Sequence, residues 1–115
     1  MSENCLFCKI IKGDIPSAKV YEDAHCYAFR DISPQTPMHI LIVPKQHAAG
    51  LNDLDGLSDA GLAACLRAAA GIAQAEGIAN TGYRLLTNCG PHACQSVQHL
   101  HFHLMGGRQM SEKMG

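Results

Sequence analysis

Between His99 and Met105 the chain reads His-Leu-His-Phe-His-Leu-Met, three histidines alternating strictly with large apolar residues. In an extended strand successive side chains leave on opposite faces. The pattern therefore predicts a strand with Leu100, Phe102 and Leu104 on one face and all three imidazoles on the other. One face packs; the other does chemistry. Same-face neighbours on a strand are roughly 7 Å apart, which puts His99 and His103 about 13 Å from each other. A metal with nitrogen ligands at about 2.1 Å could be shared by two neighbours but hardly by all three, so the row reads as a track rather than a tripod. Imidazoles near neutral pH supply nucleophiles, proton donors and cations, and a track of them suits an extended anion such as a phosphate ester. The alternatives are an affinity tag, disfavoured because the row sits inside a patterned strand, and a surface strand with incidental histidines.

At 115 residues, 47% of them hydrophobic, the chain has the length of a single domain spanning residues 1–115 with a real core and no room for a second. Its formal charge of −1 and lack of a Lys/Arg cluster argue against nucleic acid or an anionic membrane as the main partner. A small anion held by histidines and backbone amides stays compatible. The start, Met1-Ser2-Glu3-Asn4-Cys5, has neither the basic residues nor the apolar stretch of a secretory signal, and no segment approaches transmembrane length, so the cytoplasm is the expected compartment. Six cysteines accompany an ordinary aliphatic core, which favours reduced thiols or metal ligands over a disulfide framework.

Residues 8–12 are expected to form a short helical turn ended by Gly13, and residues 20–22 and 26–31 two strands of a hairpin turning at Glu22-Asp23-Ala24. Ser33-Pro34 and Thr36-Pro37 break the chain before an apolar strand over 39–43 closed by Pro44, and 52–57 reads as a loop. Ser58 can cap the one long helix, in which Leu62, Cys65, Leu66, Ala69, Ile72 and Ala73 recur at helical spacing up to Gly77. Residues 83–88 read as a fourth strand, followed by the loop Cys89-Gly90-Pro91-His92-Ala93-Cys94 and the histidine strand. The sum is an α+β domain: a five-stranded antiparallel sheet in hairpin-like order, with one long and one short helix and the long helix on one face.

The run His99-Leu100-His101-Phe102-His103-Leu104-Met105 resembles the signature of the histidine triad (HIT) nucleotide-binding superfamily. The likeness extends through Cys5-Leu6-Phe7-Cys8-Lys9-Ile10-Ile11, Asp14-Ile15-Pro16, Phe29-Arg30-Asp31-Ile32-Ser33-Pro34, His39-Ile40-Leu41-Ile42-Val43-Pro44-Lys45, Gln95-Ser96-Val97 and Gly106-Gly107-Arg108-Gln109-Met110. Together these look like the Hint branch, the purine nucleoside phosphoramidases. The resemblance implies a homodimer whose sheets join into one, and hydrolysis of a purine nucleoside 5'-phosphoramidate, such as adenosine 5'-monophosphoramidate, to the nucleotide and an amine. It implies His101 as nucleophile, forming a nucleotidyl-histidine that water then hydrolyses. His103 would touch the phosphate oxygens, His39 would support the nucleophile from the neighbouring strand, and His99 opens the same row. A dinucleoside polyphosphate hydrolase of the Fhit-like branch would share the nucleophile but differ in leaving group. A nucleotide-binding regulatory dimer is the reading outside enzymes.

By the same resemblance Asp31 accepts the ribose hydroxyls, a task suited to an acceptor-only carboxylate; read by itself, without the family, it is better taken as a turn or capping aspartate before Ser33-Pro34. Phe29 and Ile32 look like the clamp around the base, or plain core. Asn88, Cys94, Gln95 and Ser96 resemble the phosphate-side contacts, with Ser96 either handing a proton to the departing amine or serving as a strand-entry residue. Animal relatives have glycine where this chain has Ala93 and Cys94, and its last five residues lack the tryptophan common there. Cys5 and Cys8 have the two-residue spacing of zinc ligands. By resemblance His47 and His99 complete a closed, structural Cys2His2 site; two packed thiols are the alternative. Cys26 and Cys65 fall in apolar segments and read as core, whereas Cys89 and Cys94 are loop thiols open to oxidation.

Overall fold

A computed structural model describes residues 4–114; Met1–Glu3 and Gly115, which begin the N-terminal stretch and close the tail considered above, lie outside the described residues. The elements run α1 (Leu6–Lys12), β1 (Lys19–Glu22), β2 (Cys26–Arg30), β3 (Met38–Pro44), a 3-10 turn (Leu51–Gly56), α2 (Asp59–Ala75), β4 (Tyr83–Leu86), a second 3-10 turn (Pro91–Ala93) and β5 (Phe102–Gly106). All pairings are antiparallel, in the order β1-β2-β3-β5-β4. That order departs from a plain succession of hairpins, because β5 inserts between β3 and β4. The insertion seats the histidine strand inside the sheet, against the strand carrying His39.

Period-two alternation along β2, β3 and the histidine segment sorts the core into two layers. Cys26, Ala28, Met38, Ile40, Ile42, Leu100, Phe102 and Leu104 pack with Cys65, Ala68, Ala69, Ile72 and Ala73 of α2. Tyr27, Phe29, Leu41 and Val43 face the other way and pack with Cys5, Phe7, Cys8 and Ile10 around α1. The short helix thus covers part of the face opposite the long one. It begins two residues before the expected turn because the Cys5 sulfur caps it, accepting from the Cys8 amide at 3.4 Å. On α2 the buried stripe is Gly61, Cys65, Ala68, Ala69, Ile72 and Ala73; Leu66, expected inside, falls off that stripe and is exposed.

The histidine segment is only partly strand. β3 and β5 pair Met38 with Gly106, Ile40 with Leu104 and Ile42 with Phe102. The next pair in this same-face series would set Pro44 opposite Leu100, and proline has no N–H for the ladder. Pairing stops there, and the Leu100 amide donates instead to the Ala48 carbonyl at 2.6 Å. The faces survive this break: Leu100 stays in the α2 layer, while His99 and His101 stay opposite it. Smaller differences follow similar local causes. Residues 51–56 wind into a 3-10 turn, and β4 ends at Leu86, after which the Thr87 hydroxyl donates to the His101 carbonyl at 2.6 Å.

The N-terminus of α2 is held by one side chain. Ser58 Oγ accepts from the Gly61 amide at 3.0 Å and donates to Gln46 Oε1 at 3.0 Å. Losing an N-cap hydroxyl costs about 1 kcal/mol. Ser58→Ala should therefore lower the unfolding free energy by about that amount in urea with an unchanged m-value. A midpoint equal to that of the unsubstituted chain would contradict the assignment.

Candidate active site and metal centre

Four imidazoles lie on the face away from α2, and their hydrogen bonds fix which nitrogens carry protons. The His101 ring is buried, with Phe7 edge-on at 5.1 Å and His103 at 5.1 Å. Its Nδ1 lies 2.7 Å from the carbonyl oxygen of His99. A carbonyl only accepts, so Nδ1 holds the proton and Nε2 of the neutral ring holds the lone pair. Nε2 has no protein partner among the described residues. None of their buried side-chain nitrogens or oxygens is left unpaired, so Nε2 is the part of the ring that reaches solvent.

His103 and His39 form a second tautomer chain. The Gln35 amide donates to His39 Nδ1 at 3.0 Å, which forces the His39 proton onto Nε2. Nε2 lies 2.9 Å from His103 Nδ1 and 3.4 Å from Asp31 Oδ2. His39 therefore donates to His103, and the His103 proton sits on its outer Nε2. Burial pushes the His103 pKa down to about 4, with His101 and His39 adding to the effect. Burial also lowers that of His39, against the opposing pull of the Asp31 carboxylate. Both rings are neutral at pH 7.

Asp31 fills the turn role and keeps an oxygen for other work. Its Oδ1 accepts from the Ser33 amide at 2.8 Å, and its Oδ2 faces His39. Phe29 is buried against Phe7 and Tyr27, at the edge of the histidine layer. Ile32 is 99% exposed, which removes the core alternative for it. The loop ahead of the row is organised by Gln95, whose Oε1 accepts from the Gly90 amide while Nε2 donates to the carbonyls of Ala49 and Val97. Asn88 Nδ2 donates to the Ala93 carbonyl at 2.8 Å. Both amides are thus spent on the shape of the loop, and Ser96 and Cys94 are exposed beside it. Cys94 has φ 63, the left-handed region that favours glycine, and no other described non-glycine residue has a positive φ.

Two groups of side chains have the composition of a metal site, Cys5-Cys8-His47-His99 and Asp31-His39-His103. Proton positions separate them. In the first, His99 Nε2 donates to the Pro44 carbonyl at 2.9 Å, leaving a lone pair on Nδ1. That Nδ1 lies 3.2 Å from Cys5 Sγ, 3.5 Å from Cys8 Sγ and 3.2 Å from His47 Nδ1, and Cys8 Sγ is 3.4 Å from His47 Nδ1. Ligands at about 2.0 to 2.3 Å from a tetrahedral ion stand about 3.3 to 3.8 Å apart, and these four separations lie close to the edges of such a site. In the second group His39 Nε2, the atom that would ligate, already carries a proton because the Gln35 amide occupies Nδ1. The first group can hold zinc; the second is a hydrogen-bond chain. The geometry rests on two backbone partners that carry no side-chain signal, the Pro44 carbonyl and the Gln35 amide, and on Phe7, visible in the sequence only as an apolar residue between two cysteines.

The HIT domain family model matches residues 12–110. With its alternating histidines on one face of an antiparallel α+β sheet, the chain belongs to the HIT domain family. It is 47% identical to the purine nucleoside phosphoramidase of Escherichia coli K12 over 96% of this chain and 92% of that protein. It is 49% identical to a 14 kDa zinc-binding protein of Zea mays over 92% of this chain and 84% of that one. Among solved structures, a HIT family hydrolase from Legionella pneumophila superposes with a TM-score of 0.93 at 50% identity, covering 97% of this chain and all of that one. No helix among the described residues is long and apolar enough to cross a membrane.

The low pKa of His103 makes stability pH-dependent in a stated direction. The unfolded ring takes a proton near 6.5, the folded ring only near 4. The unfolded state binds more protons between those values, so stability rises with pH across that window and is lost as pH falls through it. Metal-free protein should melt at falling temperature from pH 6.5 to 4, and His103→Gln should show a shallower dependence. Equal slopes would contradict the buried neutral ring.

Proposed function

We propose that the chain hydrolyses the P–N bond of purine nucleoside 5'-phosphoramidates through a nucleotide covalently held on His101. The carrying observation is the 2.7 Å contact of His101 Nδ1 with the His99 carbonyl, which leaves the Nε2 lone pair free to act as a nucleophile. The Nε2 lone pair attacks phosphorus, the P–N bond breaks, and the amine departs with a proton given by the hydroxyl of exposed Ser96. Water then attacks the same phosphorus and gives a proton back to Ser96, the P–Nε2 bond breaks with its electron pair returning to Nε2, and the nucleotide leaves. His103 presents its Nε2–H to the phosphate oxygens, and His39 keeps it in that tautomer. Asp31 receives the ribose hydroxyls on Oδ2, with exposed Ile32 and buried Phe29 bounding the base. Asn88, Gln95 and Cys94 shape the phosphate loop, the first two through bonds already made within it. His99 serves the nucleophile through its carbonyl and the metal through its ring. The name of the Escherichia coli relative, a purine nucleoside phosphoramidase, supports the substrate class.

Two copies join through β4 in this reading. β1, the other edge, is irregular between Lys19 and Tyr21 and carries Lys19 and Glu22, features that discourage edge pairing, whereas β4 is regular. Residues 1–115 act as one catalytic domain per copy. Cys5, Cys8, His47 and His99 hold one zinc, which ties the N-terminal turn to the start of the histidine row. The cytoplasm suits free thiols of this kind, and all six cysteines are unbridged.

Adenosine 5'-phosphoramidate should be cleaved faster than a diadenosine polyphosphate. His101→Ala should lose more than about ten-thousandfold in kcat/KM while still binding adenosine monophosphate, because the other contacts remain. Near-normal turnover by that variant would overturn the mechanism. Protein purified without chelator should carry about one zinc per chain, and Cys5→Ser with Cys8→Ser should lose it and melt earlier, since no such site exists in the unfolded chain. Unchanged melting and no zinc would leave two packed thiols.

A further inference from the structure

The tautomer chain of His39 and His103 starts at a backbone amide on the exposed loop between β2 and β3, and something must hold that amide in place. The segment beyond β5 is positioned to do so. Gly107 has φ 97, and a Cβ there would lie 3.1 Å from Pro37 Cβ and 3.5 Å from the Met38 amide nitrogen. Only glycine combines this turn with so close an approach. The next residue, Arg108, extends its guanidinium over the loop and donates from Nη2 to the Gln35 carbonyl at 3.1 Å, with Nη1 donating to the Gln109 carbonyl at 3.2 Å.

We propose that Arg108 is a positioning residue for the reaction, clamping Gln35 so that its amide holds His39 and, through it, His103 in the tautomers that present an Nε2–H to the phosphate. Gln35 is held at both ends, its carbonyl by Arg108 and its amide by His39 Nδ1. The clamp closes a ring of constraints: β5 supplies His103, the turn after β5 supplies Arg108, and Arg108 fixes the loop that fixes the partner of His103. If the loop swings, His39 Nδ1 loses its donor and the His39 proton is free to occupy either nitrogen. A His39 protonated on Nδ1 offers His103 an acceptor instead of a donor, and the His103 proton turns inward. Arginine suits the task because its charge-assisted donors hold a carbonyl at an exposed position.

The effect on catalysis rests on the phosphoramidase reading, whereas the effect on the tautomers does not. The test therefore reads both. Long-range proton–nitrogen correlation spectra of nitrogen-15-labelled protein at neutral pH report which ring nitrogen of His39 and His103 is protonated. The unsubstituted chain should show His39 with an unprotonated Nδ1, and Arg108→Ala should show a mixture. Its kcat on adenosine 5'-phosphoramidate should fall about three- to tenfold with KM unchanged, the size expected for losing one charge-assisted hydrogen bond at an exposed site. Arg108→Lys should restore part of the loss in both readouts, and Gln35→Ala, which keeps the backbone amide and carbonyl, should keep the His39 tautomer. An unaltered tautomer with kcat within about twofold in Arg108→Ala would overturn the proposal, as would a rise in KM alone, which would make Arg108 a substrate contact. A shifted tautomer with unchanged kcat would uphold the clamp and refute the role given to His103.

Discussion

The contact between His101 Nδ1 and the carbonyl of His99 two residues earlier ties the chemistry of the site to the path of its backbone. It exists because the row leaves the sheet ladder just before Phe102, where Pro44 offers no amide to pair with. Two carbonyls then meet imidazoles. That of Pro44 receives His99 Nε2, and that of His99 receives His101 Nδ1. One residue thereby serves two sites. Its ring turns Nδ1 toward Cys5, Cys8 and His47, and its main chain sets the tautomer of the neighbouring imidazole of His101. Phe7, carried on the helix capped by Cys5, closes the apolar side of both rings.

Proton positions decide which cluster of ligand-type residues can take a metal. Asp31, His39 and His103 have the composition of a site with an open coordination position, yet a backbone amide directed at His39 Nδ1 puts a proton on the atom that would bind. The Cys5 group shows the opposite arrangement, with a carbonyl behind His99 that leaves the inward nitrogen bare. Both rings are buried, so distance and burial alone would not have told the clusters apart.

The alternation of histidine with leucine and phenylalanine made the two faces of the sheet legible, because side-chain direction depends only on an extended backbone. It did not reveal where hydrogen bonding stops, since that depends on a proline in another strand, 56 positions before Leu100 by the pairing of β3 with β5. The insertion of β5 beside β3 was equally hidden, as a tertiary choice with no local signal. Cys5 and Cys8 announced themselves by spacing, and His47 only through the family likeness. Gln35 and Pro44 act through main-chain groups, which every residue has, so no residue type could flag them. Leu66 was placed inward by its hydrophobicity, but the burial stripe of α2 runs through small residues that let the helix approach the sheet.

The central claim is that phosphorus passes through a bond to His101 Nε2, and the stereochemical course at phosphorus tests it most directly. Each in-line displacement inverts the configuration. A nucleoside phosphoramidate made chiral at phosphorus by sulfur and oxygen isotopes, hydrolysed by the intact chain, should give product with net retention, the sum of two inversions. Net inversion would mean that water attacks the substrate directly and would contradict the account.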